Sequence, residues 1–420
     1  MQRNAAVGVR VQQSHFSAVT ALKWLCWTLT PTAAFGCAAQ TPWLATWQAP
    51  PQLTEPRNLP PAPGLAGSTL RQWIHVSIGG ERWRVRLSNE FGDGPLTVTA
   101  AHLARTVRAD TIDVSSGSAL LFNGQPSVTI AAGSAALSDP VRIAVPSLGE
   151  LTVSVQVGAM PAAVTGHPGS RTTSYLVTGN HVAERSLAGA TRVEHWYILS
   201  GVEVVASPAH AAVIVLGNSI ADGRGSGTDR NNRWPDNLAR RLQADSRTAH
   251  VAVLNAGIGG NTVLRGGLGP TALSRLDRDV LAQAGARWLI VSEGVNDIGG
   301  AHGTEGSATT ARELIDAYRE IIRRAKARGL RVYGATILPF GGSNYASPDH
   351  ESARATVNRW IRESGQFDAV IDLDAAMRDP ADPTKLRAEV DGGDHLHPNE
   401  LGYRMMADAI DLGLFVSPSR

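Results

Sequence analysis

Between residues 211 and 373 the chain repeats one pattern five times: a short apolar run, then a longer stretch with helical spacing. The runs cover 212–216, 251–255, 288–292, 332–338 and 370–373. They are continuously apolar rather than alternating, so each must be covered on both faces, as in a parallel sheet flanked by helices. Helices are expected between them. In one, Leu314, Ile315, Tyr318, Ile321, Ile322 and Ala325 recur at helical spacing and Gly329 supplies the stop. Another opens at Pro235 and carries Leu238 and Leu242. Five such units predict a doubly wound α/β domain, whose ligands sit beyond the carboxyl ends of the strands.

The first half is punctuated differently. Ile74, Val76 and Ile78 alternate with polar residues, Gly79-Gly80 follows, and alternation resumes at Trp83, Val85 and Leu87, which predicts a hairpin. Further short strands are expected at 96–103, 128–131, 141–145 and 151–157, separated by Asn-Gly, Asp-Pro and Ser-Leu-Gly turns. Many short strands at this spacing predict an all-β sandwich or jelly roll. Ser207-Pro208 marks the expected boundary, giving a β domain over 40–207 and an α/β domain over 208–420. A chain of 420 residues is long enough for both to bury a core.

Composition excludes several classes. Hydrophobic content of 43% with 18% charged residues is that of a folded protein. The 39 basic and 37 acidic residues form no dominant block, so neither a nucleic-acid surface nor an anionic-membrane surface is implied. Both cysteines, Cys26 and Cys37, lie in the first forty residues, which leaves the remainder without a thiol nucleophile or a cysteine metal site. Residues 1–39 read as a signal peptide or lipoprotein-type leader: Arg3 and Arg10 precede an uncharged stretch over 24–35, and small residues follow. Export to the periplasm or the extracellular space is therefore expected, with membrane attachment only if Cys37 is lipidated. The Gly-rich segment 223–227 lacks the spacing and the Gly-Lys-Ser/Thr of a phosphate cradle.

The residues that can carry chemistry fall at strand ends. Ser219 follows the first apolar run by three positions, where an acyl carbonyl can reach its hydroxyl. Asp394 and His397 precede a helix through Tyr403, Met406 and Ile410; the carboxylate can hold one imidazole nitrogen and leave the other to take a proton from a serine. Taken alone, Ser219 could be a helix cap, and Asp391, Asp394, His395 and His397 could be surface pairs or a metal cluster. Acyl transfer also needs donors for an oxyanion. The segment 255–261, rich in glycine, and Gly294-Val295-Asn296-Asp297 offer them at the ends of the second and third runs.

Together, Gly217-Asn218-Ser219, Gly260, Gly294-Val295-Asn296-Asp297 and Asp394-His395-Leu396-His397 resemble, in family order, the four blocks of the SGNH hydrolases, the GDSL-type esterase superfamily. The resemblance implies a flavodoxin-like five-stranded fold for the second half. It also implies Ser219 as nucleophile, His397 as general base and Asp394 as its orienting partner. The oxyanion hole would come from the Ser219 and Gly260 N–H groups and the Asn296 side chain. No cofactor and no metal are expected. Asn218 departs from the aspartate usual in the family; asparagine keeps the shape and one acceptor, so activity is expected to survive. Segments 88–92, 138–141 and 165–167 resemble the β-rich N-terminal region of exported two-domain bacterial members. The reading is a serine-dependent carboxylic ester hydrolase removing acetyl or other short acyl groups from an acylated saccharide. The alternatives are a broad-specificity lipase or arylesterase, and an inactive carbohydrate-binding or surface protein displaying Trp43, Trp47 and Trp73.

Overall fold

In the second half of a computed structural model, which describes residues 42–416, the five apolar runs form one parallel sheet. Its strands are Ala211–Gly217, Val251–Gly257, Ala286–Ser292, Arg331–Ala335 and Ala369–Ile371. The Ala211–Gly217 strand pairs in parallel with both Val251–Gly257 and Ala286–Ser292, so the spatial order is 2-1-3-4-5, that of a flavodoxin-like doubly wound sheet. Every residue of Ala211–Gly217 is buried, as continuous apolarity requires. Helices Trp234–Ala244, Gly303–Ala327, Pro348–Glu363 and Glu400–Asp408 lie in the same half, each with apolar residues buried along one stripe. The fourth strand stops at Ala335, short of the expected 338. Beyond it the Asn358 carboxamide takes over the role of a neighbouring strand, accepting from Ile337 N at 2.7 Å and donating to Ile337 O at 2.8 Å.

The first half is antiparallel. One sheet runs Trp43–Gln48, Leu199–Val205, Gly80–Asn89, Val141–Val145; a larger one is built around Ser68–His75, Glu150–Val157 and Leu96–Arg108. The hairpin expected at Gly79-Gly80 does not form: Ser68–His75 belongs to the larger sheet and Gly80–Asn89 to the other. The alternation on either side is real, but both strands bury one face in the same interior, and the glycine pair turns a corner between sheets. Gly79 is required there because a Cβ would stand 2.3 Å from the Val145 carbonyl oxygen. Nor do the tryptophans form a display surface: Trp47 and Trp73 are buried, and Trp43 lies under the Arg84 guanidinium at 4.2 Å. The leader reading, with Cys26 and Cys37, lies outside the described residues.

A third sheet of the first half is small: Trp196–Tyr197, Thr165–His167 and Gln52–Leu53. It carries residues that reach the other half. The described residues form one compact unit, and a single apolar cluster runs through both halves. The Val251–Gly257 strand is an edge of the parallel sheet, and an open edge invites pairing with other chains. Here Ser77 Oγ accepts from Val253 N at 3.0 Å, and Ala45 N donates to Ala284 O at 2.9 Å. The β half thus caps the edge of the α/β half. Residues 208–420 produced alone would uncover that edge and the apolar surface under Leu44 and Trp47. They are expected to aggregate in size-exclusion chromatography while the full chain runs as a discrete species; a folded, monodisperse 208–420 would refute this.

Candidate active site

Ser219 stands at the carboxyl end of the central strand and opens the short helix Ser219–Asp222. Asn218 is the cap of that helix; its Oδ1 accepts from Ile220 N at 3.0 Å. The backbone therefore leaves the strand, caps, and turns within two residues, and the hydroxyl is lifted to the sheet's rim. Ser219 is 8% exposed.

Ser219 Oγ lies 2.8 Å from His397 Nε2, although the two are 178 positions apart. His397 Nδ1 lies 2.7 Å from Asp394 Oδ2. A carboxylate only accepts, so Nδ1 carries the proton and Nε2 is left to receive one from the serine. Asp394 Oδ1 also accepts from the backbone N–H groups of Leu396 and His397, at 3.1 and 2.9 Å. Partial burial would raise its pKa, but these hydrogen bonds and the imidazole hold it down to about 2. Burial moves His397 below its ordinary value; Asp394 opposes the shift, and the positive charges of Arg224 and Arg171 reinforce it. Its neighbours Asp391 and His395 form a separate pair at 2.5 Å, so the four residues split into two pairs instead of converging on one point.

The three expected oxyanion donors converge on the same cleft. Gly260 lines it with φ at 71°, a conformation that disfavours any side chain, and a Cβ there would press on Leu268 at 3.1 Å. Asn296 is oriented by both ends of its amide: Nδ2 donates to Asn261 O at 2.7 Å, and Oδ1 accepts from the Tyr345 hydroxyl at 3.1 Å. One amide N–H remains for the cleft. Ser219 N, at the first helical position, belongs to the group of N–H donors that a helix start leaves without an intrahelical partner.

Beneath this layer lies machinery the sequence did not disclose. The Glu293 carboxylate is fully buried, 3.2 Å from Asn218 Nδ2 and 3.6 Å from Arg275. Burial pushes its pKa up to about 8 against the pull of Arg275. This explains Asn218. The carboxamide keeps the cap acceptor and turns its N–H₂ toward Glu293, where an aspartate would place a second buried carboxylate. Asp297, the last residue of its block, is likewise buried and raised to about 6; it accepts from the N–H groups of Val263 and Leu264.

The β half supplies one wall. Gln52, Glu55, Arg57, Asn58, Arg171 and His195 share a cavity of about 720 Å³ with Ser219, His397 and Asn296. The contact is pinned by His167 and Asp222, whose Nε2 and Oδ1 are 2.8 Å apart, with both side chains buried. His167 Nδ1 faces Pro50 O at 2.9 Å, so both ring nitrogens meet acceptors. Asp222 ends the helix that begins with Ser219, and His167 sits in the small third sheet. No signal in either segment pairs them; only the docking of the halves does.

Residues 215–405 match the GDSL-like Lipase/Acylhydrolase family model. The chain is also similar to several solved structures. An acetylxylan esterase from Geobacillus stearothermophilus is 21% identical, with 48% of this chain and 92% of that one covered and a TM-score of 0.36. The acetyl xylan esterase AlAXEase is 22% identical, covering 47% and 96%, with a TM-score of 0.36. A GDSL-like lipase from Bacteroides thetaiotaomicron is 18% identical, covering 47% and 84%, with a TM-score of 0.34. No curated protein matches the chain.

Two measurements follow from these protonation states. If the neutral His397 imidazole accepts the serine proton, its lowered pKa extends activity to lower pH, and the acid limb of kcat/KM is expected to inflect below about 6.5, the ordinary histidine value. An inflection above that value would refute the assignment. Asn218→Asp would set two carboxylates side by side in the interior. Because Glu293 already has a raised folded pKa, its favourable state is complete below about 4.5 and is lost as pH rises through about 8. The variant is therefore expected to lose on the order of 3 kcal/mol of unfolding free energy at pH 8 and markedly less near pH 5, measured by urea denaturation. An equal loss at both pH values would show that the Glu293 carboxylate is not the cause.

Proposed function

We propose that this chain, whose residues 215–405 are a GDSL-like lipase/acylhydrolase domain and which is therefore a carboxylic ester hydrolase, removes acetyl or similarly short acyl groups from a saccharide. The observation that carries the reading is the continuous line from Asp394 through His397 to Ser219, opening into a cleft whose lining is mostly polar and drawn from both halves.

Each residue then has a defined part. Ser219 Oγ attacks the ester carbonyl while His397 Nε2 takes its proton, and Asp394 stabilises the imidazolium that results. Negative charge moves to the carbonyl oxygen, where the N–H groups of Ser219 and Gly260 and the Asn296 amide receive it; removing one such donor typically costs about 100- to 1,000-fold in rate. His397 returns its proton to the departing alcohol. Water, deprotonated by the same imidazole, releases the acid and restores Ser219.

The preference for a short acyl group on a polyol rests on the cleft wall. Gln52, Asn58, His195, Ser343, Asn344 and Tyr345 line it, whereas Leu268, Leu396 and Pro168 are its main apolar surfaces. A long acyl chain needs a continuous apolar trough; hydroxyl groups need this density of hydrogen-bonding side chains. Acetyl, butyryl and octanoyl p-nitrophenyl esters, with acetate release from acetylated oligosaccharides, test both levels. The expected order is acetyl first, with Ser219→Ala lowering the rate by at least about 1,000-fold. Equal rates in wild type and Ser219→Ala would sink the nucleophile assignment, and a preference for octanoyl would sink the short-acyl one.

A further inference from the structure

Three guanidinium groups line the cleft, Arg57 and Arg171 from the β half and Arg224 from the α/β half. The carboxylates beside them already have partners. Glu55 accepts from Gln52 at 2.9 Å and from Asn58 at 2.8 Å, Asp222 faces His167, and Asp394 faces His397. Arg224 is 3.9 Å from Asp394. Arg57 and Arg171 form no ion pair among the described residues, and Arg171 Nε is buried without a hydrogen-bond partner. A partly buried guanidinium that has lost water and gained no anion is unfavourable unless a ligand completes it.

The loop that presents Arg171 is held from several sides. Arg171 itself has φ at 50°, and its carbonyl accepts from Asp229 N at 3.0 Å. Asp229 in turn accepts from Thr173 N at 2.6 Å and Thr173 Oγ1 at 2.7 Å. Pro168 O receives His195 Nδ1 at 2.6 Å, and Ser170 Oγ bonds Thr172 O at 2.8 Å. An uncommon backbone conformation over-determined by its surroundings is a mark of a functional position. The side chain it fixes stands near enough to His397 for its charge to act on the ring.

We propose that Arg171, with Arg57 at the rim, binds a carboxylate on the substrate, so that the saccharide taken by this cleft is an acylated acidic sugar, a uronate. The proposal rests on the reading of the cleft as an ester-hydrolysing site. A planar, permanently charged guanidinium suits a carboxylate's two oxygens, and the remaining polar wall suits the sugar hydroxyls. A sulfate group would offer similar anionic oxygens, so the test must separate the two.

The full chain would be assayed for acetate release from an acetylated methyl glucuronoside as the free acid, from its neutral 6-amide, and from an acetylated glucoside 6-sulfate, with p-nitrophenyl acetate alongside. Wild type is expected to favour the acid over the amide by about 10- to 100-fold in kcat/KM, mainly through KM, and to favour the acid over the sulfate. Arg171→Gln should erase most of the acid-to-amide ratio, and Arg171→Lys should restore part of it. Arg57→Gln, at an exposed position, should lower the ratio severalfold and provides a second test should Arg171→Gln not fold. Equal rates on acid and amide in wild type, or a ratio unmoved by these substitutions, would overturn the proposal, and preference for the sulfate would overturn the uronate assignment. Loss of Ser219-dependent p-nitrophenyl acetate hydrolysis would instead overturn the ester-hydrolase reading beneath it.

Discussion

The site hangs on one buried guanidinium. Arg275, with no exposed side-chain surface, donates to the carbonyls of Gly217 and Ala256, at the ends of the first two parallel strands, and to Asn261 Oδ1 in the loop that carries Gly260. Asp279 supplies a counter-charge at 3.2 Å, and the Glu293 carboxyl group lies at 3.6 Å. A charge taken out of water is favourable only when fully paired and hydrogen-bonded, and this one is surrounded by backbone carbonyls, a side-chain amide oxygen and carboxyl groups. Those partners are the backbone pieces that must keep a fixed spacing if Ser219, Gly260 and Asn296 are to face one point. Pre-organised donors stabilise a transition state only if they do not have to move at the moment of reaction. Arg275 supplies that rigidity from below.

Asn218 belongs to the same construction. It caps the helix that begins at Ser219 with its oxygen and donates its nitrogen to Glu293 Oε2, so one side chain joins the layer that carries Ser219 to the ionic layer beneath it. The departure from the family's usual aspartate is thus matched by a buried carboxyl group at the end of the neighbouring strand. The amide is the form that both neighbours can use: its oxygen accepts from Ile220 N and its nitrogen donates to Glu293.

The β half is part of the cleft around Ser219. His167 holds Asp222 at the far end of the nucleophile's helix, while Arg57, Asn58, Arg171 and His195 form the opposing wall. The two halves contribute differently to the cleft: the parallel sheet positions Ser219, and the antiparallel module supplies the opposing wall. The same docking closes the exposed edge at Val253, so the stability of the α/β half and the shape of its cleft depend on a common interface.

Much was legible in the sequence. Continuous apolar runs against alternating ones separated parallel from antiparallel architecture, because burial on two faces and on one face leave different periodicities. The short motifs placed Ser219, Gly260 and Asn296 just past the ends of the first three parallel strands, whereas Asp394 and His397 lie in the loop before helix Glu400–Asp408, well beyond the last strand, and not at a strand end as the sequence suggested. Periodicity could not tell a hairpin from a corner at Gly79-Gly80, since both bury the same alternate residues; nor could it tell that Trp47 and Trp73 face inward. Among the residues missed, Arg275, Glu293, His167 and Asp222 pair with groups far away in the chain, and Arg171 reaches the cleft only through the docking of the halves; neither leaves a local pattern. The sequence by itself determined the fold class and singled out Ser219, Asp394 and His397, which the fold brings into contact; the packing of one half on the other decided the walls of the cleft, because only in three dimensions do those buried and half-buried charges find, or lack, their partners.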